Sequence, residues 1–410
     1  MLILQPALRP QRRRKKKIGL AIAGGGPIGG MYELGALRAL DEAIEGLDFT
    51  RLDVYVGVSS GSFLAAALAA GLGTAEICRI FITDDAAPIR FRPETFLRPA
   101  FFEFASRARE IPGTLLGWLM DRLSKPWETD WSELLGRFGA LIPTGIFDNR
   151  AVEEFLREAF EGLGRSNDFR KLDRRLYIVA VDLDTGETVR FGDEQHQHIP
   201  ISRAVQASAA LPGLYPPVEI EGRYYVDGAL RRTLHASVAM DDGCDLVLGL
   251  NPLVPFDQGL AARTGKRANR SLVDGGLPTV LSQTFRTMLK SRMQVGLDKY
   301  QKEYPASDLV LFEPSGDDAE MFFTNVFSYE SRQHLTEHAY RATRADLLAR
   351  RRELAPILAR AGLKLRGDVL ADTSRTLISG LDSKRPRRTS VTARLRHTLD
   401  DLDVALSTRR

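Results

Sequence analysis

The sequence predicts an α/β protein built on a mostly parallel sheet with helices on both faces. Two observations carry this reading. From residue 18 to about 82, short apolar runs alternate with segments of helical period, the β-α-β-α order that builds parallel sheets. Further apolar runs at 176–181, 246–250 and 309–312 supply additional buried strands. With 44% hydrophobic and 27% charged residues over 410 positions, the chain has the composition of a globular protein rather than a disordered or fibrous one.

Taken in order, residues 12–17 form an unbroken basic run, either a solvated arm or a segment drawn to anionic lipid headgroups. The first strand, 18–23, ends in Gly24-Gly25-Gly26. A helix over 27–44 follows, with Leu34, Leu37, Leu40 and Ile44 at helical spacing and Pro27 suited to its first turn. The strand 52–56 meets Gly57-Val58-Ser59-Ser60-Gly61, and the alanine-rich residues after it favour a helix that runs to about 82.

Residues 88–143 hold all three tryptophans among phenylalanines, arginines and prolines, which suits either an extra helical layer or an apolar cap over an acyl-chain site. A helix at 152–160 leads to the strand 176–181, a turn at 182–186 and a hairpin partner at 187–191. A small-residue helix over 201–210 closes at Leu211-Pro212-Gly213, and a short strand at 224–226 delivers Asp227-Gly228. Residues 254–278 are polar and glycine-rich and read as a mobile loop, whereas 328–361 read as helical. Past 367 the chain turns basic, with Val391, Leu395, Leu399, Leu402 and Leu406 at the spacing of a last amphipathic helix. The expected organisation is a disordered basic arm (1–16), one catalytic-size domain (17–366) with the aromatic helical insertion, and a partly helical or disordered tail (367–410).

Several function classes are excluded or weakened. A net charge of +4 implies no nucleic-acid role. No apolar run reaches the ~20 residues of a membrane span. Cys78 and Cys244 form no disulfide framework and no zinc spacing, which suits a reducing compartment.

The chemistry concentrates in three places. A Gly-x-Ser-x-Gly turn between strand and helix lifts the Ser59 hydroxyl out of the sheet and aims a helix N-terminus at whatever it attacks. Gly24-Gly25-Gly26-Pro27-Ile28-Gly29 has the spacing of a dinucleotide loop, but that use leaves Ser59 and Asp227 unexplained; the same loop can present main-chain N–H groups to an oxyanion. Serine needs a base. The histidines (196, 198, 235, 334, 338 and 397) stand in no order an α/β-hydrolase triad would use, and His334 with His338 lacks a third metal ligand. Asp227, at a strand end before glycine, is the better base, provided enclosure raises its pKa from about 3.9.

These three motifs, in this order, resemble those of the patatin-like phospholipases over roughly residues 17–251, including Ala207-Ser208-Ala209-Ala210-Leu211-Pro212. The resemblance implies a three-layer fold and a Ser–Asp dyad acyl hydrolase, with Ser59 as nucleophile and Asp227 as base. It implies an oxyanion hole from Gly24, Gly25, Gly26 and Ser60, with Gly29, Gly57, Gly61, Gly228 and Ala229 completing the motifs. Many relatives carry a basic residue where this chain has Ile28, so extra positive charge is not expected there. The implied substrate is a lipid carboxylic ester, handled without metal or organic cofactor; the cysteine usage suits the cytoplasm, and the basic run suits peripheral contact with anionic membrane surfaces. The alternatives are a Ser-His-Asp hydrolase and a non-catalytic lipid-surface protein.

Overall fold

The computed structural model describes residues 1–10, 16–83, 96, 98–100, 144–265, 271–324 and 329–381. Most of the aromatic insertion and the amphipathic tail segment therefore lie outside the described residues. The contacts divide the chain into one compact unit, Met1–Leu377, and a second, Ile378–Arg410.

The strands are β1 (Leu2–Gln5), β2 (Ile18–Ile22), β3 (Ile44–Glu45), β4 (Val54–Val58), β5 (Arg175–Asp182), β6 (Thr188–Phe191), β7 (Val218–Ile220), β8 (Arg223–Asp227), β9 (Leu246–Leu250), β10 (Asp308–Phe312) and β11 (Lys364–Leu365). All but β3 and β11 join one sheet in the order β1-β10-β9-β2-β4-β5-β8-β7, with β6 also on β5. The five central strands, from β10 to β5, are mutually parallel. The flanking strands β1, β6, β8 and β7 pair antiparallel, so the sheet is mixed rather than parallel to its edges.

The central strands are apolar on both faces because helices cover both. The helices are α1 (Gly26–Ala43), α2 (Ser60–Ala69), α3 (Thr74–Cys78), α4 (Arg150–Gly162), α5 (Ile201–Ser208), α6 (Ala236–Asp241), α7 (Gln258–Arg263), α8 (Gly276–Glu303), α9 (Ala319–Phe323), α10 (Tyr329–Ala349), α11 (Arg351–Arg360) and α12 (Gly367–Ala371). One face packs Ala21, Val56, Val247 and Leu309 under α6 and α8. On the other, α2 lies on β4 and α1 packs along α10.

Three expectations need correcting. The N-terminal arm is not free of structure: Leu2 is buried and β1 pairs with β10, because an apolar tetrapeptide satisfies an open sheet edge. Residues 254–278 are not one mobile loop. They include α7, capped by the Asp257 side chain on the Leu260 N–H at 2.8 Å, and the start of α8, a 28-residue helix whose pattern is masked by apolar residues on both of its faces. The helix expected to run unbroken to 82 stops at Ala69, where Gly71 takes φ 84°, and resumes as α3.

Candidate active site

The C-terminal ends of β2 and β4 bring the serine turn and the glycine loop together. β4 passes into α2 through Ser59, held at φ 50° and ψ −124°, a backbone state that costs a non-glycine residue about 1–3 kcal/mol. Neighbours hold it there. The Ser59 N–H donates to Ser208 Oγ at 2.9 Å, and the Ser59 carbonyl accepts the Ser62 N–H at 3.0 Å. The two flanking glycines are steric necessities. A Cβ on Gly57 would lie 2.5 Å from Ser62 Cα, and one on Gly61 would lie 2.4 Å from the Ala23 carbonyl oxygen.

Gly24 and Gly25 link β2 to α1, which opens at Gly26 with φ 60°. The preceding Ala23 N–H is tied to the Leu250 carbonyl at 2.9 Å, which fixes where the loop leaves the sheet. A Cβ on Gly24 would sit 2.8 Å from Ser59 Cβ and 3.5 Å from both Ser59 Oγ and Ala229 Cβ. Gly25 and Gly29 press on Pro252, where added Cβ atoms would come within 2.4 and 2.8 Å of its ring. The first turns of α1 and α2 both open at this corner, where N–H groups such as that of Ser60 precede the regular helical ladder.

Asp227 arrives from the other side. In register, Val58 of β4 faces Val179 of β5, and the next β5 residue, Ala180, faces Asp227 of β8. Gly228 then crosses β5 so closely that a Cβ would be 2.3 Å from the Val179 carbonyl oxygen and 3.1 Å from Val58 Cγ1. The carboxylate accepts the Ala229 N–H at 2.8 Å, with the Ser59 side chain as its other hydrogen-bonding neighbour. Burial pushes the Asp227 carboxyl up to about 6 against the pull of those two partners.

Residues 20–240 match the family model for patatin-like phospholipase, more than half of the chain. This chain belongs to that family. An uncharacterized protein of Acanthamoeba polyphaga mimivirus is 24% identical over 233 residues, covering 56% of this chain and 64% of that one. An uncharacterized NTE family protein of Mycobacterium tuberculosis is 26% identical over 230 residues, covering 55% of this chain and 29% of the relative. The match thus spans under two thirds of either relative. Among solved structures, VipD from Legionella pneumophila aligns at 13% identity and TM-score 0.32, over 88% of this chain and 82% of that one. Human GIVD cytosolic phospholipase A2 aligns at 15% identity and TM-score 0.32, over 87% and 61%.

The patatin-like domain uses two residues to which sequence reasoning gave no role, although one, Ser208, stands in a quoted motif. Ser208, at the end of α5, accepts from the Ser59 N–H and donates to the Val179 carbonyl at 2.6 Å. Two residues on, the Ala210 carbonyl accepts the Asp227 N–H at 3.0 Å, so one short segment holds both partners' backbones. Replacing Ser208 with Ala is expected to cost about 1–3 kcal/mol in denaturant unfolding, because it strands a buried N–H and a buried carbonyl. The second is Glu33 of α1, wholly buried with neither oxygen in a hydrogen bond of good geometry. Its one side-chain hydrogen-bonding neighbour is Ser60, and burial pushes its pKa well above the usual carboxylate range against the pull of that neighbour. A lone glutamate amid Tyr32 and Leu34 carries no signal of this in the sequence.

The histidines of this patatin-like chain are engaged away from Ser59. His196 Nδ1 meets Asp193 and His198 Nε2 meets Glu221, each at 2.8 Å. His235 is buried with Nε2 3.3 Å from the Gly228 carbonyl oxygen, and burial pulls it down to about 4. His334 pairs with Glu320, and His338 with Asp318 and Glu320. His397 lies outside the described residues. Among the described residues no cluster of His, Cys, Asp and Glu is arranged to hold a metal, and no helix is long and apolar enough to cross a membrane.

Proposed function

We propose that this chain is a serine acyl hydrolase that cleaves lipid carboxylic esters through Ser59 and Asp227. The observation that carries the reading is the convergence at Gly24. A Cβ there would touch Ser59, the attacking residue, and would also reach Ala229, whose N–H orients Asp227.

In the first half-reaction Asp227 takes the Ser59 proton as Oγ bonds to the ester carbonyl carbon. The oxyanion is met by N–H groups of the Gly24–Gly26 loop and of Ser60, donors each worth about 3–4 kcal/mol of barrier. Collapse breaks the ester C–O bond, and the protonated Asp227 gives its proton to the departing alcohol. In the second half-reaction Asp227 accepts a proton from water as that water attacks the acyl carbon; expulsion of Ser59 Oγ, which recovers the proton, releases the fatty acid. The steps balance with water alone.

A fluorophosphonate that labels Ser59 in the intact protein, and fails to label the Ser59→Ala variant, is the direct test; absence of labelling in wild type would sink the reading. Esterase activity should also show a single acid limb. Only ionised Asp227 can accept a proton, so kcat/KM is expected to fall tenfold per pH unit below about 6 and to plateau above it. A limb centred near 4 would mean that Asp227 is not the enclosed base.

A further inference from the structure

The helix α8 carries a second apolar face, exposed among the described residues. Its inner side buries Leu289, Met293, Leu297 and Tyr300 against the sheet. On the opposite side, Leu277, Leu281, Met288 and Val295 expose 70, 58, 53 and 69% of their surface. At about 100° per residue these four fall within roughly 40° of one line, while the buried set lies on the far side of the helix. Thr284 and Ser291 share the outer line, so from 277 to 295 it carries no charge over ~27 Å.

The stripe stands beside the candidate active site. The Gln283 side chain bonds the main-chain N–H and carbonyl of Phe256 at 3.0 and 2.8 Å, four residues beyond the Pro252 that presses on Gly25. Farther along, Arg292 donates to the Leu230 carbonyl at 2.7 Å, three residues past Asp227. The surrounding sequence is strongly basic. Residues 263–294 hold seven Lys and Arg against the single acid Asp274. Of these, Arg286 is buried against the Phe322 ring and Lys290 pairs with Glu313, while Lys266, Arg267 and Arg270 lie outside the described residues.

We propose that the outer face of α8 docks this protein on anionic lipid bilayers, with the stripe entering the headgroup boundary and the flanking cations meeting lipid phosphates. An uncharged apolar line bordered by cations is the pattern of a helix that lies in a membrane interface. A second copy of this chain is the weaker occupant, because so basic a stretch of sequence repels its own symmetry mates and is drawn to an anionic plane. The proposal rests on the lipid-ester reading for its purpose, since it sets the catalytic corner against the substrate's own surface.

The test is flotation of the full chain with phosphatidylcholine vesicles with and without about a third phosphatidylglycerol. Wild type is expected to float with the anionic vesicles, to bind neutral ones at least about tenfold more weakly, and to be released by high salt. The triple variant Leu277→Ser, Leu281→Ser, Met288→Ser should lose at least about tenfold in anionic-vesicle binding, with its thermal midpoint and its hydrolysis of a short water-soluble ester unchanged. Equal binding by the variant, no binding by wild type, or a wild-type dimer that the variant converts to monomer would each overturn the proposal. Flotation reads docking without turnover, so a chain that floats but cleaves no ester would refute the hydrolase reading and leave the surface assigned.

Discussion

Replacing Asp227 with Asn is expected to abolish ester turnover and, above about pH 6, to make the protein more stable. Asparagine keeps the shape and can still accept the Ala229 N–H, but it cannot take the Ser59 proton. The stability sign follows from linkage. In the folded chain this carboxyl titrates near 6 rather than 3.8, so it is protonated when folded and ionised when unfolded between those values. Its contribution to stability is therefore fully present below about 3.8 and is lost as pH rises through about 6. The buried carboxylate costs up to about 3 kcal/mol at pH 8, and Asn removes that cost. Thermal unfolding at pH 8 and pH 4 checks this: a rise in Tm of a few degrees at the higher pH that disappears at the lower. Wild-type-like turnover in the variant would rule out the dyad, whereas an unchanged Tm at both pH values would argue that the carboxyl is not enclosed.

Gly228→Ala should be nearly as severe for activity while leaving every proposed catalytic group in place. The new methyl would sit 2.3 Å from the Val179 carbonyl oxygen and 2.9 Å from its carbon, both backbone atoms of a central strand. β5 is paired with β4 and β8 along one edge and with β6 along the other and cannot yield, so the turn must lift, carrying Asp227 away from Ser59. Misplacement of about 1 Å costs roughly a hundredfold in rate, and overpacking of this kind destabilises by about 1–3 kcal/mol. Gly73→Ala is the control, because a Cβ there meets nothing within 4 Å and φ is already −71°. Denaturant midpoints and kcat measured on both variants separate a shifted acid from a general loss of stability. Full activity in Gly228→Ala would mean that the approach to β5 does not set the dyad.

Sequence patterning located most of the frame. The parallel core was legible because strands buried on both faces appear as unbroken apolar runs, as at 246–250 and 309–312. Two of the misplaced elements share one cause. β1 is four residues with no turn signal, and α8 has apolar residues on opposite faces, so neither shows the one-sided period on which reading depends. The 28-residue helix was consequently hidden next to a glycine-rich stretch.

The residue types of the candidate site were readable because serine between glycines, a glycine loop after a strand and aspartate before glycine are local patterns, each tied to a backbone shape that few residues can take. Whether those patterns meet is a property of strand order, which no local pattern encodes: β8 lies on β5 and β5 on β4, and only that register sets residue 227 over residue 59. Ser208 and Glu33 likewise acquired their places through packing, since a hydroxyl or a carboxyl looks the same in sequence whether it faces water or the buried backbone of a partner 149 positions away.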